Sequence, residues 1–421
     1  MICHIGIGSN LGNRAANLEM AAIQIRGFAR IRRAAPIYQT AALLPDGAPL
    51  SWEIPFLNSV LELEVDLSPQ DLLHRLKNVE REMGRLSLEH WAPRVIDLDI
   101  LTWGRETIEL PTLQIPHAGL WNRSFVLDPL KDLIPHALLP GRSQPLFRRA
   151  REVKGHAPLW MGILNLTPDS FSDGGELLDP LALEKRISEF EENRISIWDL
   201  GAESTRPGAR ELSPEKEWER LREPLEIILD RNKSRVFRPL VSIDTRHPQT
   251  ALRALEKGID WINDVSGLAH PELIECLRGT QAELVLMHSL TVPADPKVVL
   301  PENVDPITTL KRWCLEKLER LEHKGIDCSR VLFDPGLGFG KTPRQSLEIL
   351  RRIPELMELP IRILVGHSRK SFLNQWTQAS APDRDGYGIG VSVRLAQAGV
   401  DILRVHEPQL HQGAFEAWSF L

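Results

Sequence analysis

At 421 residues the chain can hold two or three domains, or one large barrel with an attached domain, each with a sizeable core. A net charge of −6 at pH 7 argues against general nucleic-acid binding, which needs a basic footprint. No run of about 18 apolar residues occurs, and Met1-Ile2-Cys3-His4 lacks the basic start and apolar core of a signal peptide, so a cytoplasmic protein without a membrane partner is expected. Cys3, Cys276, Cys314 and Cys328 form no C-x-x-C pair, which argues against a zinc ribbon or a disulfide framework.

The first strand is expected at Ile2–Ile7, running into Gly8-Ser9-Asn10, with a helix from about Asn17 to Arg26. A second strand fits Ile31–Tyr38. Thr40–Pro55 is rich in Pro, Gly and Ala without periodicity, so it reads as a long loop of the kind that forms functional lids. Phe56–Val65 alternates as a strand should. Ser68 and Pro69 then open a helix whose apolar face runs through Leu72, Leu76, Val79 and Met83. This strand–helix–strand–strand–helix–strand order is the ferredoxin-like α+β pattern.

The chemistry of this half concentrates in Trp91–Leu101. On a strand, Ile96, Leu98 and Ile100 share one face while Asp97 and Asp99 share the other, roughly 7 Å apart at Cα. Two carboxylates so placed can hold hard cations such as Mg²⁺, with phosphates and water completing the coordination. The same pattern also suits an edge strand with an acidic exposed face.

Gly8-Ser9-Asn10, Phe56-Leu57-Asn58, Gly84-Arg85, Trp91-x-Pro93-Arg94-x-x-Asp97-Leu98-Asp99, Pro116-His117 and Asn122-Arg123-x-Phe125 together resemble 6-hydroxymethyl-7,8-dihydropterin pyrophosphokinase. The resemblance implies that Asp97 and Asp99 bind two Mg²⁺ ions bridging ATP, and that Arg85, Arg94, His117 and Arg123 hold the triphosphate. It implies a pterin pocket from Asn58 and Phe125, lined by Thr40 and Leu43. Arg85 and Arg94 are the expected catalytic groups, since phosphoryl-type transfer relies on positioning and charge neutralisation. His90 stands where the family often carries arginine.

Leu138–Pro145 is a turn-rich break, followed by a short basic amphipathic piece at Leu146–Lys154, so the domains are expected at 1–155 and 156–421. From Leu159 onward eight short apolar runs recur: Leu159–Leu164, Ile195–Leu200, Leu240–Ile243, Trp261–Ile262, Leu284–Met287, Val331–Phe333, Ile361–Val365 and Ile402–Val405. Helical stretches such as Pro180–Glu192, Pro214–Leu229 and Pro306–Lys324 separate them. Alternation on this scale fits a (β/α)₈ TIM barrel, with its site at the carboxyl ends of the strands. Those ends carry Asn165, Asp199, Asp244, Asn263-Asp264, His288, Asp334, Gly366 and His406. Each taken singly could be a strand-end cap or a surface charge; the regular series argues for a lined mouth. The glycine-rich Gly336–Thr342 fails the phosphate-loop pattern, because Pro335 stands where a glycine is required, and reads as a tight strand-to-helix loop.

Trp160 to the C-terminus resembles dihydropteroate synthase. The resemblance is carried by Met161–Gly175, Asp199-x-Gly201-x-Glu203-Ser204-Thr205-Arg206-Pro207-Gly208, Ser242-Ile243-Asp244-Thr245, Asn263-Asp264, Asp334–Lys341, Gly366-x-Ser368-Arg369-Lys370 and Arg404-Val405-His406. It implies a pterin pocket from Asp244, Asn263, Asp334 and Lys370, and one Mg²⁺ held with the diphosphate by Asn165. Arg404 and His406 would grip that anion. Thr205, Arg206, Pro207 and Ser368 would surround p-aminobenzoate, and Lys370 and Arg404 join the catalytic set. Thr167–Gly175 becomes a candidate lid. Ala202 stands where a second glycine is common, and His367 where an apolar residue is expected.

The leading expectation is therefore a bifunctional folate-biosynthesis enzyme, with ATP, hydroxymethyldihydropterin and p-aminobenzoate as its small-molecule partners. A pterin-binding methyltransferase working with a corrinoid partner, and a non-catalytic pterin-binding scaffold, are the competing readings. The oligomeric state stays open, a homodimer through the barrel among the options.

Overall fold

The computed structural model describes residues 1–85, 91–167, 179–206 and 208–420. The chain forms two compact units, one of Met1–Ala157 with Ser234–Arg238 and Ser419–Leu421, the other of Pro158–Lys233 and Pro239–Trp418.

The first unit is built on an antiparallel sheet of β1 (Ile2–Ser9), β2 (Arg30–Ala34), β3 (Tyr38–Thr40), β4 (Phe56–Glu64) and β5 (Asp97–Trp103). Its order is β2-β4-β1-β5, with β3 also on β4, as a ferredoxin-like chain path requires. The single strand expected over Ile31–Tyr38 is split at Ala35-Pro36-Ile37: the Ala35 N–H still donates to the Val60 carbonyl at 2.9 Å, but Pro36 has no N–H to carry the ladder on. The first helix also starts earlier than expected: it spans Arg14–Ile25, capped by the Asn13 side chain. The second spans Pro69–Glu82, and the Ser68 hydroxyl accepts from the Asp71 N–H at 3.1 Å. Leu72, Leu76 and Val79 lie on its buried face, each contributing about 1.5–3 kcal/mol of burial.

These two helices cover one face of the sheet. The other face carries a layer with no counterpart in the sequence reading: helices Ser124–Leu133 and Leu146–Glu152 pack Leu127, Leu130, Leu146 and Ala150 against Val60 and Leu101. Asp97 and Asp99 have the same strand parity as Leu101, so they lie on this second face, beyond the packed helices. A small hairpin of β6 (Ile108–Leu110) and β7 (Leu113–Ile115) follows β5.

The second unit is a closed parallel barrel. Its strands are β8 (Leu159–Asn165), β9 (Ile197–Gly201), β10 (Leu240–Asp244), β11 (Trp261–Asp264), β12 (Glu283–Met287), β13 (Val331–Asp334), β14 (Arg362–Gly366) and β15 (Ile402–Val405), neighbours in that order and closed by β15 on β8. All eight expected runs are strands. The outer helices Pro180–Glu192, Pro214–Asn232, Pro248–Glu256, Pro306–His323 and Pro343–Arg351 each begin on proline, whose missing N–H would be unpaired in a first turn anyway. Ser213, Asp305 and Thr342 cap three of them, and Gln345 closes a reciprocal capping box with Thr342. Among the described residues no helix is long and apolar enough to cross a membrane.

Candidate active sites

A cavity of about 430 Å³ opens on the second face of the first unit's sheet. It brings together Thr40, Leu43, Asn58, Arg85, Arg94, Asp97, Asp99, His117, Arg123 and Phe125, every residue singled out for that half. Gly8 is needed here because a Cβ would stand 2.5 Å from the Asn58 side-chain oxygen. Asn58 donates to the Thr40 hydroxyl at 2.8 Å, tying the start of the long loop to the sheet. Asn10 is a strut: its side chain accepts from the Arg94 N–H at 2.7 Å, and its own N–H donates to the Arg94 carbonyl at 3.1 Å.

The charges of this cavity answer one another. Arg85 reaches Asp97 at 2.6 Å and Arg94 reaches it at 3.1 Å. Behind them lies Glu80, 3 % exposed, whose Oε1 accepts from the Leu98 N–H at 2.7 Å, Lys77 at 2.8 Å and Arg85 at 2.7 Å. Glu80 thus aims Arg85 and fixes β5 on the helix. Lys77 stands 3.7 Å from Asp99. Burial pushes the Asp97 carboxyl up, but Arg94, Arg85 and Lys77 outweigh it and hold the group below its ordinary range. The sequence reading missed Lys77, although its spacing of three from Glu80 puts both on one helix face.

The barrel cavity is larger, about 580 Å³, and lies at the carboxyl ends of the strands. Asn165, Thr205, Arg206, Asp244, Asn263, Asp334, Ser368, Lys370, Arg404 and His406 all line it. Pro207, His90 and the stretch 168–175 of the candidate lid lie outside the described residues. Phe339 and Glu203, which had no assigned role, also line it, and Arg246 holds Glu203 by two bonds of 2.8 and 3.0 Å.

Arg404 bridges two carboxylates, Asp199 through Nε and Asp244 through Nη2, both at 2.6 Å. Asp199 is fully buried and also accepts from Asn263 at 3.2 Å. Burial, against the pull of Arg404, and the nearby Asp199, Glu217 and Asp264 carboxylates push Asp244 up to about 8. Lys370 donates to the Leu337 carbonyl at 2.6 Å and sits 5.0 Å from the Phe339 ring centroid. Burial lowers the Lys370 amine to about 8, against the pull of Asp334.

His406 is held well below its ordinary range by burial and by Arg369, Arg404, Arg206 and Arg186, so it is a neutral imidazole whose Nδ1 lies 3.0 Å from the Ser368 hydroxyl. Arg369 also lines the cavity and pairs with Asp385 at 2.7 Å and Glu407 at 3.2 Å. His367, the residue that departed from the expected pattern, is fully buried; its Nε2 lies 2.8 Å from the Ser392 hydroxyl, which in turn lies 2.7 Å from His411 Nδ1.

An α+β domain with a cation-lined acidic pair, joined to a barrel whose mouth mixes carboxylates, amides and arginines, defines a two-domain transferase for polar, anionic small molecules. The chain belongs to the bifunctional folate-synthesis family. Residues 161–406 match the pterin binding enzyme family, and residues 4–135 match 7,8-dihydro-6-hydroxymethylpterin-pyrophosphokinase. It is 37% identical to a folate synthesis bifunctional protein of Chlamydia muridarum, over 99% of this chain and 97% of that one. A mitochondrial folate synthesis bifunctional protein of Arabidopsis thaliana is 33% identical over 96% of this chain and 80% of its own length. The barrel resembles the crystal structure of dihydropteroate synthase from Anaplasma phagocytophilum with bound 6-hydroxymethylpterin-monophosphate, at TM-score 0.56 and 32% identity, covering 63% of this chain and 99% of that one. A solved HPPK-DHPS in complex with substrates shares the fold over 100% of this chain and 99% of that chain, at TM-score 0.56 and 20% identity.

Proposed function

We propose that the first domain, residues 1–155, transfers pyrophosphate from ATP to 6-hydroxymethyl-7,8-dihydropterin, releasing AMP. The second, residues 156–421, condenses the product with p-aminobenzoate to 7,8-dihydropteroate and pyrophosphate. The observation that carries this reading is that each cavity gathers the described members of one family set of residues from distant parts of its own unit.

In the first domain Asn58 and Phe125 hold the pterin beside Thr40 and Leu43. Arg85, Arg94, His117 and Arg123 take the triphosphate. Arg85 and Arg94 now neutralise Asp97, so nucleotide binding exchanges that carboxylate for phosphate oxygens as their partner. Asp97 and Asp99 are partly exposed, adjacent on one strand face and oxygen-only, which fits hard divalent cations; two Mg²⁺ would be held there with ATP. Bound Mg²⁺ would neutralise charge developing on the phosphates.

In the barrel Asp244, Asn263, Asp334 and Lys370 bind the pterin ring: the acidic and amide oxygens accept from its N–H groups, and the Lys370 amine donates to its oxygen or ring nitrogen. Arg404 grips the diphosphate, and neutral His406 donates to it without adding charge. Thr205, Arg206, Pro207 and Ser368 surround p-aminobenzoate, so that its amine faces the carbon from which diphosphate departs. The Asn165 amide oxygen fits one Mg²⁺ whose remaining ligands are phosphate and water. Stabilising the leaving group suffices, and no protein nucleophile is required.

Purified protein supplied with ATP, Mg²⁺, the hydroxymethylpterin and p-aminobenzoate should form AMP and dihydropteroate. Formation of neither would refute the reading.

A further inference from the structure

The glycine-rich stretch Gly336–Lys341 borders the barrel cavity, and at its end Lys341 is only 4 % exposed. Its amine stands 2.8 Å from His288 Nδ1, 3.0 Å from the His288 carbonyl and 2.9 Å from the Phe339 carbonyl. Three acceptors around one nitrogen are the complement of an ammonium group with three N–H bonds. We propose that Lys341 is a positioning residue for the condensation site: it fastens the glycine loop to the end of β12 and thereby sets where Leu337 and Phe339 hold Lys370.

The backbone is built for this clasp. Gly336 has φ +63, and a Cβ there would lie 2.0 Å from the His288 carbonyl oxygen, so only glycine lets the loop fold back onto the residue that Lys341 grips. The Asp334 carboxylate accepts from the Gly336 N–H at 2.7 Å, and the Phe339 N–H donates to the Gly336 carbonyl at 3.0 Å, closing the turn. On its cavity side the same loop presents the Leu337 carbonyl and the Phe339 ring, the two contacts of the Lys370 amine. Burial pushes the Lys341 amine well below its ordinary range, Asp334 opposes that, and Lys370 adds to it. His288 is itself held at about 3 by burial and by Lys341, so it is the neutral ring needed to accept. Its ring packs edge-on against Trp313, with ring centroids 5.0 Å apart.

Lys341→Met keeps the length of the side chain and removes all three donors. Lys341→Arg keeps the charge, but its planar fork cannot meet three acceptors around one point. Both variants should raise the KM for the pterin diphosphate about tenfold or more, the loss of roughly 1.4 kcal/mol of binding, while the KM for p-aminobenzoate stays within about twofold. AMP formation by the first domain should match wild type and serves as the folding control, together with the thermal midpoint. Independently of turnover, acetylation of Lys370 by acetic anhydride, followed by mass spectrometry, should accelerate severalfold in both variants, because Leu337 no longer holds the amine. A folded Lys341→Met protein with wild-type KM values and a wild-type Lys370 acetylation rate would overturn the proposal, as would equal rises in both KM values. If Lys341→Met does not fold, the Lys341→Arg protein is read by the same criteria. The inference rests on Lys370 serving the pterin; an active Lys370→Ala protein would sink that reading and leave the acetylation result standing.

Discussion

The two cavities handle charge in opposite ways. In the first domain the two strand-face acids are partly exposed and faced by cations: Asp97 by Arg85 and Arg94, and Asp99 by Lys77. In the barrel the ionisable groups are buried, and ionic pairing is joined by neutralisation, with Asp244 raised to about 8 and His288, His367 and His411 kept neutral, while Lys370, lowered only to about 8, stays an ammonium at neutral pH. A site that must change ionic partners when nucleotide arrives benefits from solvent access. One that positions a flat, hydrogen-bonding ring benefits from a dry wall of fixed donors and acceptors.

The comparison breaks most visibly at Asp97. Asp97→Ala should lower AMP formation by on the order of 10²–10³ while dihydropteroate formation from supplied pterin diphosphate is unchanged; loss of both activities would mean that the two sites are not independent. Lys370→Ala should do the converse, with a fall of about 10² in kcat/KM for the synthase step at full AMP formation. Undiminished dihydropteroate formation would remove Lys370 from the site. Arg206→Ala should raise the KM for p-aminobenzoate by roughly tenfold, more than that for the pterin diphosphate, as loss of one charged hydrogen bond predicts. The reverse ranking would move Arg206 to another subsite.

The smallest effect is on stability against pH. His288, His367 and His411 have folded values of about 3, 4 and 3 against an ordinary 6.5, so the unfolded chain binds the extra protons. Their contribution is fully present above pH 6.5 and is lost as pH falls toward 4 and then 3, with a slope of at most about 1.4 kcal/mol per pH unit for each. In the first domain, burial raises Glu62 but His4 and Arg33 outweigh it and hold it at about 2 against an ordinary 4.5, so its stabilisation persists until pH drops below 4.5. Asp244, raised to about 8, contributes the opposite slope over the same range, so hydrogen exchange between pH 6.5 and 4.5 should show the peptides around His288, His367 and His411 losing protection while those around Asp244 and those of the first domain keep theirs. His367→Met should flatten the barrel's response; an unchanged profile would place the acid sensitivity elsewhere.

Both folds were legible because their signals are local. Period-two alternation placed Asp97 and Asp99 on one strand face, and the barrel strands announced themselves as short apolar runs ending in polar residues. Proline and a Ser, Asp or Thr cap marked where several outer helices begin. What stayed hidden depends on contacts between residues far apart in sequence. Helix Ser124–Leu133 carries Pro129 in its interior, which masks it from propensity, and only its packing on Val60 and Leu101 reveals its layer. The departure at His367 was visible, but its partners Ser392 and His411 were not. Likewise Gly336–Thr342 read correctly as a tight strand-to-helix loop, whereas the grip of Lys341 on His288 spans 53 residues of sequence.

The central claim is that one chain holds two complete and separable sites, and complementation tests it directly. A mixture of Asp97→Ala and Lys370→Ala proteins, given ATP, Mg²⁺, the hydroxymethylpterin and p-aminobenzoate, should form dihydropteroate far faster than either variant alone, because pterin diphosphate released by one protein is consumed by the other. No product from the mixture, although each variant retains its remaining activity when assayed separately, would contradict the account.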